Sequence, residues 1–306
     1  VLTRIPDAAA DSIVTFTDQD NVQSVKSSFE DLKQERNIGN QDLDTLGTDL
    51  KHIKTIFTST EQSGGNICKW MKNMEEMMMN ILENQKENKL NERIGQTRGR
   101  IKKHESDNMD VHVRTKVFDY AIKILREQKH IVIQGTPGEG KTYLALSLVA
   151  DLIENDKELQ PLQIHNANEW EEMIDIKRPL VVFLDDILGK YGLSETDLDR
   201  WKQISELFCP NLSSSSIFLI ICIRTQIVLS IKLSLQRNEA LSFMFNSHVI
   251  DMGNEKHCLT EEERMEMLLK YAPEGLDRNN TAVFEDILKF KNNVIGFPQN
   301  CSILRF

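Results

Sequence analysis

The chain has 306 residues, of which 40% are hydrophobic and 27% are charged, and its net charge is −10. This length suggests about two domains, and the composition is ordinary for a soluble globular protein. Neither the first 110 residues nor the remainder is basic, which argues against nucleic acid as a partner. Five widely spaced cysteines without a C-x-x-C motif argue against a disulfide framework or a zinc site.

The chain also lacks an apolar run of 18 residues, so no membrane segment is predicted. We therefore expect a soluble, intracellular protein of the cytoplasm. The chain opens on Val1 rather than on Met, which predicts a piece of a longer protein.

Residues 1–83 are predicted to form a helical or interrupted coiled-coil interaction region. After a polar lead-in, apolar residues recur with the 3-4 spacing of helix stripes, and breaks near residues 37–40 and 58–65 separate the stripes. The three stripes run from Val22 to Leu32, from Leu43 to Phe57 and from Ile67 to Ile81. A short bundle and an interrupted coiled coil fit equally well. Since nothing here has catalytic spacing, we expect protein partners or self-association through residues 22–83.

Residues 84–110 have the composition of a polar linker. They are dense in Asn, Lys, Arg and Glu and poor in apolar residues. The basic cluster from Arg93 to Lys103 is interpreted as part of this solvated linker rather than as an RNA or membrane contact. Helical spacing returns from Val113 to Leu125 and ends near His130.

The stretch Gln134–Thr142 reads Q-G-T-P-G-E-G-K-T and matches the phosphate-binding pattern G-x-x-x-x-G-K-[ST]. An apolar run, Ile131–Ile133, precedes it and a helix-forming stretch follows it, which is the strand–loop–helix context that a P-loop requires. Inward-pointing backbone N–H groups and the positive helix N-terminus favour phosphate there. We expect Lys141 to reach the β- and γ-phosphates and Thr142 to ligate Mg²⁺. The residues predicted to bind the nucleotide are Gly135, Thr136, Pro137, Gly138, Glu139, Gly140, Lys141, Thr142 and Tyr143.

Two further strand-end motifs predict the rest of the site. The apolar run Leu180–Leu184 predicts a buried strand and ends in Asp185 and Asp186. Ligands bind beyond the carboxyl ends of parallel strands, so we expect Asp185 to hold Mg²⁺ and Asp186 to polarise an attacking water. The run Ile217–Ile223 ends at Arg224, either a γ-phosphate sensor or an arginine that only extends to solvent. The predicted catalytic residues are Lys141, Asp186 and Arg224.

Strands alternate with helices and no hairpin turns separate them, which predicts an α/β fold. We expect a three-layer P-loop NTPase core with a parallel sheet over residues 111–252, preceded by the helical arm. A partial helical lid is predicted over residues 253–306. Its first helix begins with Thr260 as N-cap, and Glu263 completes a capping box.

The order of these motifs resembles the STAND class of P-loop NTPases, within the AAA+-like group, and most closely the novel STAND NTPase 3 family. The Asp-Asp-h-h-Gly extension is the most family-specific feature, and the resemblance covers residues 111–306. The pieces that carry it are Arg114–Phe118, Gly135–Thr142, Asn168–Trp170, Phe183–Gly189, the strand ending at Arg224, and Ile295–Pro298.

This resemblance implies ATP rather than GTP, because no guanine-reading N-K-x-D motif follows, and it implies Mg²⁺ as the metal. It also implies that Gly296-Phe297-Pro298 is similar to the Gly-h-Pro motif of NB-ARC relatives, with Pro298 packed near the adenine. STAND proteins act as signalling and assembly switches, and active forms often oligomerise. Such a role requires only slow hydrolysis, as a timer.

Two alternatives stay open. A P-loop small-molecule or nucleotide kinase uses the same loop, but it needs an arginine-rich lid where this chain has only Arg224 and Arg237. A helical scaffold with a vestigial or structural nucleotide site is the other alternative. The intact polar residues of both motifs count against it; these are Lys141, Thr142, Asp185 and Asp186.

Overall fold

The computed structural model describes residues 64–108, 113–189, 194–271 and residue 298. The chain divides into two compact units, Val1–Asn88 and Lys89–Phe306. The stripes predicted before residue 64 and most of the predicted lid after Tyr271 lie outside the described residues.

Eight α-helices, one 3-10 helix (Cys209–Asn211) and five strands make up the described part of the chain. The α-helices and strands are α1 (Gly64–Asn108), α2 (Lys116–Gln128), β1 (His130–Gly135), α3 (Lys141–Asn155), β2 (Gln160–Ile164), α4 (Ala167–Met173), β3 (Leu180–Asp185), α5 (Glu195–Phe208), β4 (Ile217–Arg224), α6 (Thr225–Arg237), α7 (Glu239–Asn246), β5 (Val249–Asp251) and α8 (Glu261–Tyr271).

The five strands form one parallel sheet in the order β2-β3-β4-β1-β5. Apolar side chains cover both faces. One cluster packs α4, α5, α6 and α7 against the sheet, and the other packs α2 and α3 against it. Continuous apolar runs form β3, β4 and most of β1, the strands that are buried on both sides. The predicted three-layer α/β core with a parallel sheet and a helical N-terminal arm is confirmed.

Strand β4 lies between β1 and β3 and brings their carboxyl ends side by side. In the ladders, Gly135 pairs with Arg224 and Asp185 pairs with Cys222. The loop after β1, the carboxylates after β3 and the arginine of β4 therefore meet at one edge of the sheet. This edge is where ligands bind in open α/β sheets.

Residues 84–108 are helical, where the composition predicted a polar linker. Within the unit Lys89–Phe306, α1 crosses the open edge of the sheet at β2. Leu90 and Ile94 belong to the apolar cluster on one face, and Ile101 belongs to the cluster on the other face. These three apolar residues are enough to pack this part of α1 against the sheet, because only one narrow stripe of the helix is buried.

Polar contacts fasten α1 to the edge strand and to α4. Thr97 Oγ1 accepts the backbone N–H of Gln163 in β2 at 3.0 Å, and Arg93 Nη2 donates to Glu169 Oε1 at 2.6 Å. Lys89 pairs with Glu172. An edge strand exposes unpaired backbone groups, and covering it with a helix satisfies them.

A local capping box sets the start of α8, and its glutamate also contacts the start of α2. Thr260 N–H donates to Glu263 Oε2 at 2.7 Å and Glu263 N–H donates to Thr260 Oγ1 at 3.2 Å, which confirms the predicted capping box. Glu263 Oε1 also accepts the N–H of Lys116 at 2.6 Å. One carboxylate therefore holds the first turn of α8 next to the first turn of α2.

Even the 45-residue α1 is too polar to cross a bilayer, and none of the other helices in the described ranges has the length and apolar character that crossing requires. Among the described cysteines, Cys209, Cys222 and Cys258 are free thiols.

Candidate functional site

The loop between β1 and α3 exposes backbone N–H groups at a helix start. Gly138 and Gly140 have φ of 83° and 90°, left-handed values that favour glycine. Gly140 is the N-cap of α3; no side chain caps the helix and no acidic residue lies in its first turn. The first N–H groups of a helix have no intrahelical partner, and the helix dipole makes that end positive. This geometry suits an anion such as a phosphate.

Lys141 is the buried cation of this loop. Only 7% of the residue is exposed, and its Nζ donates to the carbonyl of Thr136 at 2.7 Å. Burial lowers the pKa of Lys141, and negative charge on Asp186 and Glu139 opposes that shift. The Glu139 carboxylate folds back to accept the N–H of Thr136 at 2.7 Å. A desolvated ammonium attracts a phosphate more strongly than a solvated one does.

Thr142 and Asp185 bring the two predicted motifs into contact. Thr142 Oγ1 lies 3.3 Å from each carboxylate oxygen of Asp185. Burial and the charge of Asp186 raise the pKa of Asp185, whereas Arg100 and Thr142 act in the opposite direction. Hydroxyl and carboxylate oxygens are ligands that Mg²⁺ prefers.

In the part of the chain that the structure describes, no group of three or more His, Cys, Asp and Glu residues could hold a metal by itself. Mg²⁺ is typically held by one or two protein oxygens together with substrate phosphates. The pair Thr142 and Asp185 fits such a site.

Asp186 points away from Asp185 and towards the end of β4. It has a left-handed φ of 53°, which aspartate tolerates, and its N–H donates to the carbonyl of Cys222 at 3.2 Å. Arg224 donates to Asp186 Oδ2 from Nε at 3.0 Å and from Nη2 at 2.8 Å. Asp186 Oδ1 is buried and has no hydrogen-bond partner among the described residues. This carboxylate oxygen can accept a hydrogen bond from a water.

A mostly apolar cavity lies beside the loop at Gly140. The elements around it are α2, α3 and α8, together with the segment at Pro298. Its lining residues are Val113, Thr115, Val117, Phe118, Glu139, Gly140, Tyr143, Leu144, Ser147, Met252, Leu259, Met267, Tyr271 and Pro298.

The predicted residues Tyr143 and Pro298 both line this cavity. A Cβ placed on Gly140 would lie 3.6 Å from Pro298 Cγ, so the proline ring is in contact distance of the loop. Burial raises the pKa of Tyr143 to about 12, with a further contribution from Tyr271, so the phenol is neutral at physiological pH. The structure thus brings the predicted loop and the predicted proline to one cavity.

The sequence did not reveal Arg100, which α1 supplies. Its Nη2 lies 3.6 Å from Asp185 Oδ2, its Nη1 donates to Gln163 Oε1 at 2.5 Å, and its guanidinium lies 5.7 Å from the ring centroid of Phe183. One turn later, the His104 ring packs against Tyr143 with centroids 4.6 Å apart. The 4-3-4 spacing of Leu90, Ile94, Thr97 and Ile101 is the signal that could have predicted a buried helix here.

The family model described as Novel STAND NTPase 3 matches residues 112–273, which is more than half of the 306 residues. None of the curated proteins compared with the chain matches it.

Two solved structures have limited similarity to the chain. A chain of the E. coli MS115-1 HORMA:CdnC:Trip13 complex is 13% identical with a TM-score of 0.35, and the match covers 64% of this chain and 76% of that one. The C. elegans PCH-2 structure is 14% identical with a TM-score of 0.27, and the match covers 66% of this chain and 70% of that one.

Proposed function

Because the chain belongs to the novel STAND NTPase 3 family, we propose that it binds ATP with Mg²⁺ and acts as a nucleotide-dependent signalling or assembly switch. Its hydrolysis of ATP is slow in this proposal. The contact between Thr142 and Asp185 at 3.3 Å is the observation that supports it most directly. It joins the phosphate-binding loop to a strand-end carboxylate 43 residues later, the pair of groups that a metal–triphosphate requires.

The triphosphate occupies the loop at the start of α3. Backbone N–H groups of residues 138–142 and the ammonium of Lys141 bind the phosphate oxygens, and Lys141 exchanges its bond to the Thr136 carbonyl for one to the ligand. Thr142 and Asp185 hold Mg²⁺, which when bound neutralises charge on the phosphates.

The cavity beside Gly140 is the proposed base site. It adjoins the phosphate loop, its lining is mostly apolar, and both Tyr143 and Pro298 contribute to it. Ligand sites of this kind combine apolar walls with a few polar groups that fix orientation. A purine ring fits this chemistry, and the family resemblance favours adenine.

Hydrolysis relies on Asp186 and Arg224. Oδ1 of Asp186, which has no partner among the described residues, accepts a proton or a hydrogen bond from the attacking water, and Arg224 fixes the other carboxylate oxygen with two N–H groups. The arginine also supplies positive charge near the site of bond breaking, where negative charge develops. A slow reaction keeps each nucleotide state long-lived, as a switch requires.

Calorimetric titration with ATP and with GTP in the presence of Mg²⁺ tests the proposal. The unsubstituted protein is expected to bind ATP more tightly than GTP. Lys141→Ala is expected to weaken ATP binding at least about 30-fold, because it removes a buried charged partner of the phosphates. Lys157→Ala is the matched control, since Lys157 is exposed beyond the far end of α3. Equal ATP affinity in Lys141→Ala and the unsubstituted protein would refute the assignment.

Residues 22–83 are the proposed route to protein partners or to self-association. Sedimentation of the full chain and of residues 89–306, each with and without ATP, tests this role. The truncation follows the boundary between the two compact units and retains the part of α1 that covers β2. Identical association states of the two proteins under all conditions would refute the proposed role.

A further inference from the structure

We propose that Arg100 is a further charged residue of the nucleotide site. Its positive charge weakens the binding of Mg²⁺ at Asp185 and thereby couples occupation of the site to the docking of α1. This inference rests on the proposed function, because it requires Mg²⁺ at Thr142 and Asp185. Arg100 is a positioning residue in this proposal and takes no part in bond breaking.

The contacts of Arg100 place its charge on the carboxylate proposed to hold the metal. One guanidinium nitrogen lies 3.6 Å from Asp185 Oδ2, and the other donates to Gln163 Oε1 at 2.5 Å. The ring of Phe183 lies under the guanidinium. The Arg100 side chain is 38% exposed and the Asp185 side chain is 20% exposed, so water screens the interaction only in part.

The helix around Arg100 is docked on both sides of it. Thr97, one turn earlier, accepts the N–H of Gln163 at the edge of the sheet. His104, one turn later, packs against the ring of Tyr143 and has its Nε2 3.2 Å from Ser147 Oγ. The docked helix fixes the position of the Arg100 backbone, and the contacts with Gln163 and Phe183 hold the guanidinium beside Asp185.

Two cations then compete for one carboxylate. Asp185 Oδ2 faces the guanidinium while both carboxylate oxygens face Thr142, so Mg²⁺ bound there meets the positive charge of Arg100. Repulsion between the two cations reduces the gain in ATP affinity that Mg²⁺ provides by roughly 3- to 10-fold in a partly screened site. Coupling between sites is reciprocal, so Mg²⁺ bound with the nucleotide weakens the docking of α1 by the same factor, relative to the nucleotide alone.

The experiment measures how strongly Mg²⁺ tightens ATP binding, as the ratio of the Kd in EDTA to the Kd in Mg²⁺. Arg100→Gln is expected to raise this ratio about 3- to 10-fold, whereas Arg100→Lys, which retains the charge, is expected to stay near the unsubstituted value. Arg93→Gln is the matched control on the same helix. It removes the pair with Glu169 but leaves the contacts of Thr97 and His104 that dock α1 on both sides of Arg100, so its ratio is expected to stay unchanged.

A second readout follows α1 itself. Amide hydrogen exchange of residues 97–104 is expected to be faster with Mg²⁺ and ATP than with ATP in EDTA in the unsubstituted protein, and this difference is expected to be smaller in Arg100→Gln.

An unchanged or smaller ratio in Arg100→Gln would overturn this inference while leaving the proposed function intact. The same increase in Arg93→Gln would also overturn it, because helix docking alone would then explain the effect. Absence of Mg²⁺-dependent ATP binding in the unsubstituted protein would instead overturn the proposed function, and this inference with it.

Discussion

Two neighbouring carboxylates at the end of β3 have different partners, and this difference separates the roles proposed for them. Asp185 is the last residue of the strand and faces Thr142 and Arg100. Asp186 turns the backbone into the left-handed region, which directs its carboxylate to Arg224. Asp185 therefore lies at the proposed metal site, and Asp186 lies where the proposed attacking water would be.

The substitution Asp186→Asn is expected to slow ATP hydrolysis by about 100-fold or more, because an amide cannot accept the proton that general-base catalysis transfers. ATP affinity is expected to change by less than about threefold, since Asp186 is not proposed to contact the phosphates. Single-turnover release of phosphate measures the first quantity and calorimetry the second.

Asp185→Asn is the paired comparison for this prediction. It weakens the proposed Mg²⁺ ligand, so it is expected to reduce the Mg²⁺-dependent part of ATP binding as well as the rate. Hydrolysis by Asp186→Asn at the unsubstituted rate would remove Asp186 from the mechanism. Loss of ATP binding in Asp186→Asn would contradict the separation of roles.

At the scale of elements, α1 covers the open edge of the sheet at β2. It packs apolar residues on both faces of the sheet, and between them Thr97 satisfies an N–H of the edge strand β2. Removal of one partner of a buried hydrogen bond leaves the other partner desolvated and unpaired, which costs more than the bond itself contributed.

Thr97→Val is therefore expected to lower the free energy of unfolding by about 1–3 kcal/mol, because the shape is retained but the acceptor for the Gln163 N–H is lost. Chemical denaturation measures the change, and amide exchange at Gln163 is expected to quicken. Thr196→Val, at an exposed position of α5, is the control and is expected to change stability by less than about 0.5 kcal/mol. Equal effects of the two substitutions would show that Thr97 does not anchor α1.

The elements that the sequence predicted are those whose signals are local. Continuous apolar runs marked β3 and β4, and the capping box of Thr260 and Glu263 marked the start of α8. The helix over residues 84–108 was not predicted, because its one helical stripe is short of apolar residues and lies in a polar sequence. Arg100 was missed because its contacts are distant in the chain; Gln163 is 63 residues away.

The predicted loop and strand-end residues do meet at one edge of the sheet, because parallel strands deliver their carboxyl ends to the same side. The side-chain partners within the site could not be read from spacing. Nothing local indicates that Asp186 pairs with Arg224. This contact depends on the strand order, which places β4 beside β3.

At the scale of the whole molecule, His130 links β1 to α7, the helix that precedes β5. It is fully buried, its Nε2 donates to the carbonyl of Met244 at 2.9 Å, and its ring lies near Phe243 and His248. Burial lowers the pKa of His130 from 6.5 to about 4, and the neighbouring His248 acts in the same direction. The folded protein therefore keeps this imidazole neutral under conditions in which the unfolded chain protonates it.

This difference predicts that stability depends on pH below neutrality. The contribution of His130 is fully present above pH 6.5 and is lost as the pH falls towards 4, because only the unfolded state takes up the proton in that window. Between pH 7 and pH 5 the loss amounts to about 2 kcal/mol. His130→Gln retains a donor for the Met244 carbonyl but does not titrate. Between pH 7 and pH 5 its free energy of unfolding is therefore expected to fall by about 2 kcal/mol less than that of the unsubstituted protein.

Denaturation of the unsubstituted protein, of His130→Gln and of His165→Gln at pH 7, 6 and 5 measures the effect. Carboxylates titrate alike in the three proteins, so comparison at each pH cancels their contribution. His165 is exposed, and its replacement is expected to leave the pH dependence of the unsubstituted protein unchanged. Parallel stability curves for all three proteins would show that His130 is not the group that couples folding to pH. The free energies of unfolding of His130→Gln and of the unsubstituted protein are expected to converge towards pH 5. Acidification removes the contribution of His130 from the unsubstituted protein, and the variant does not have that contribution at any pH.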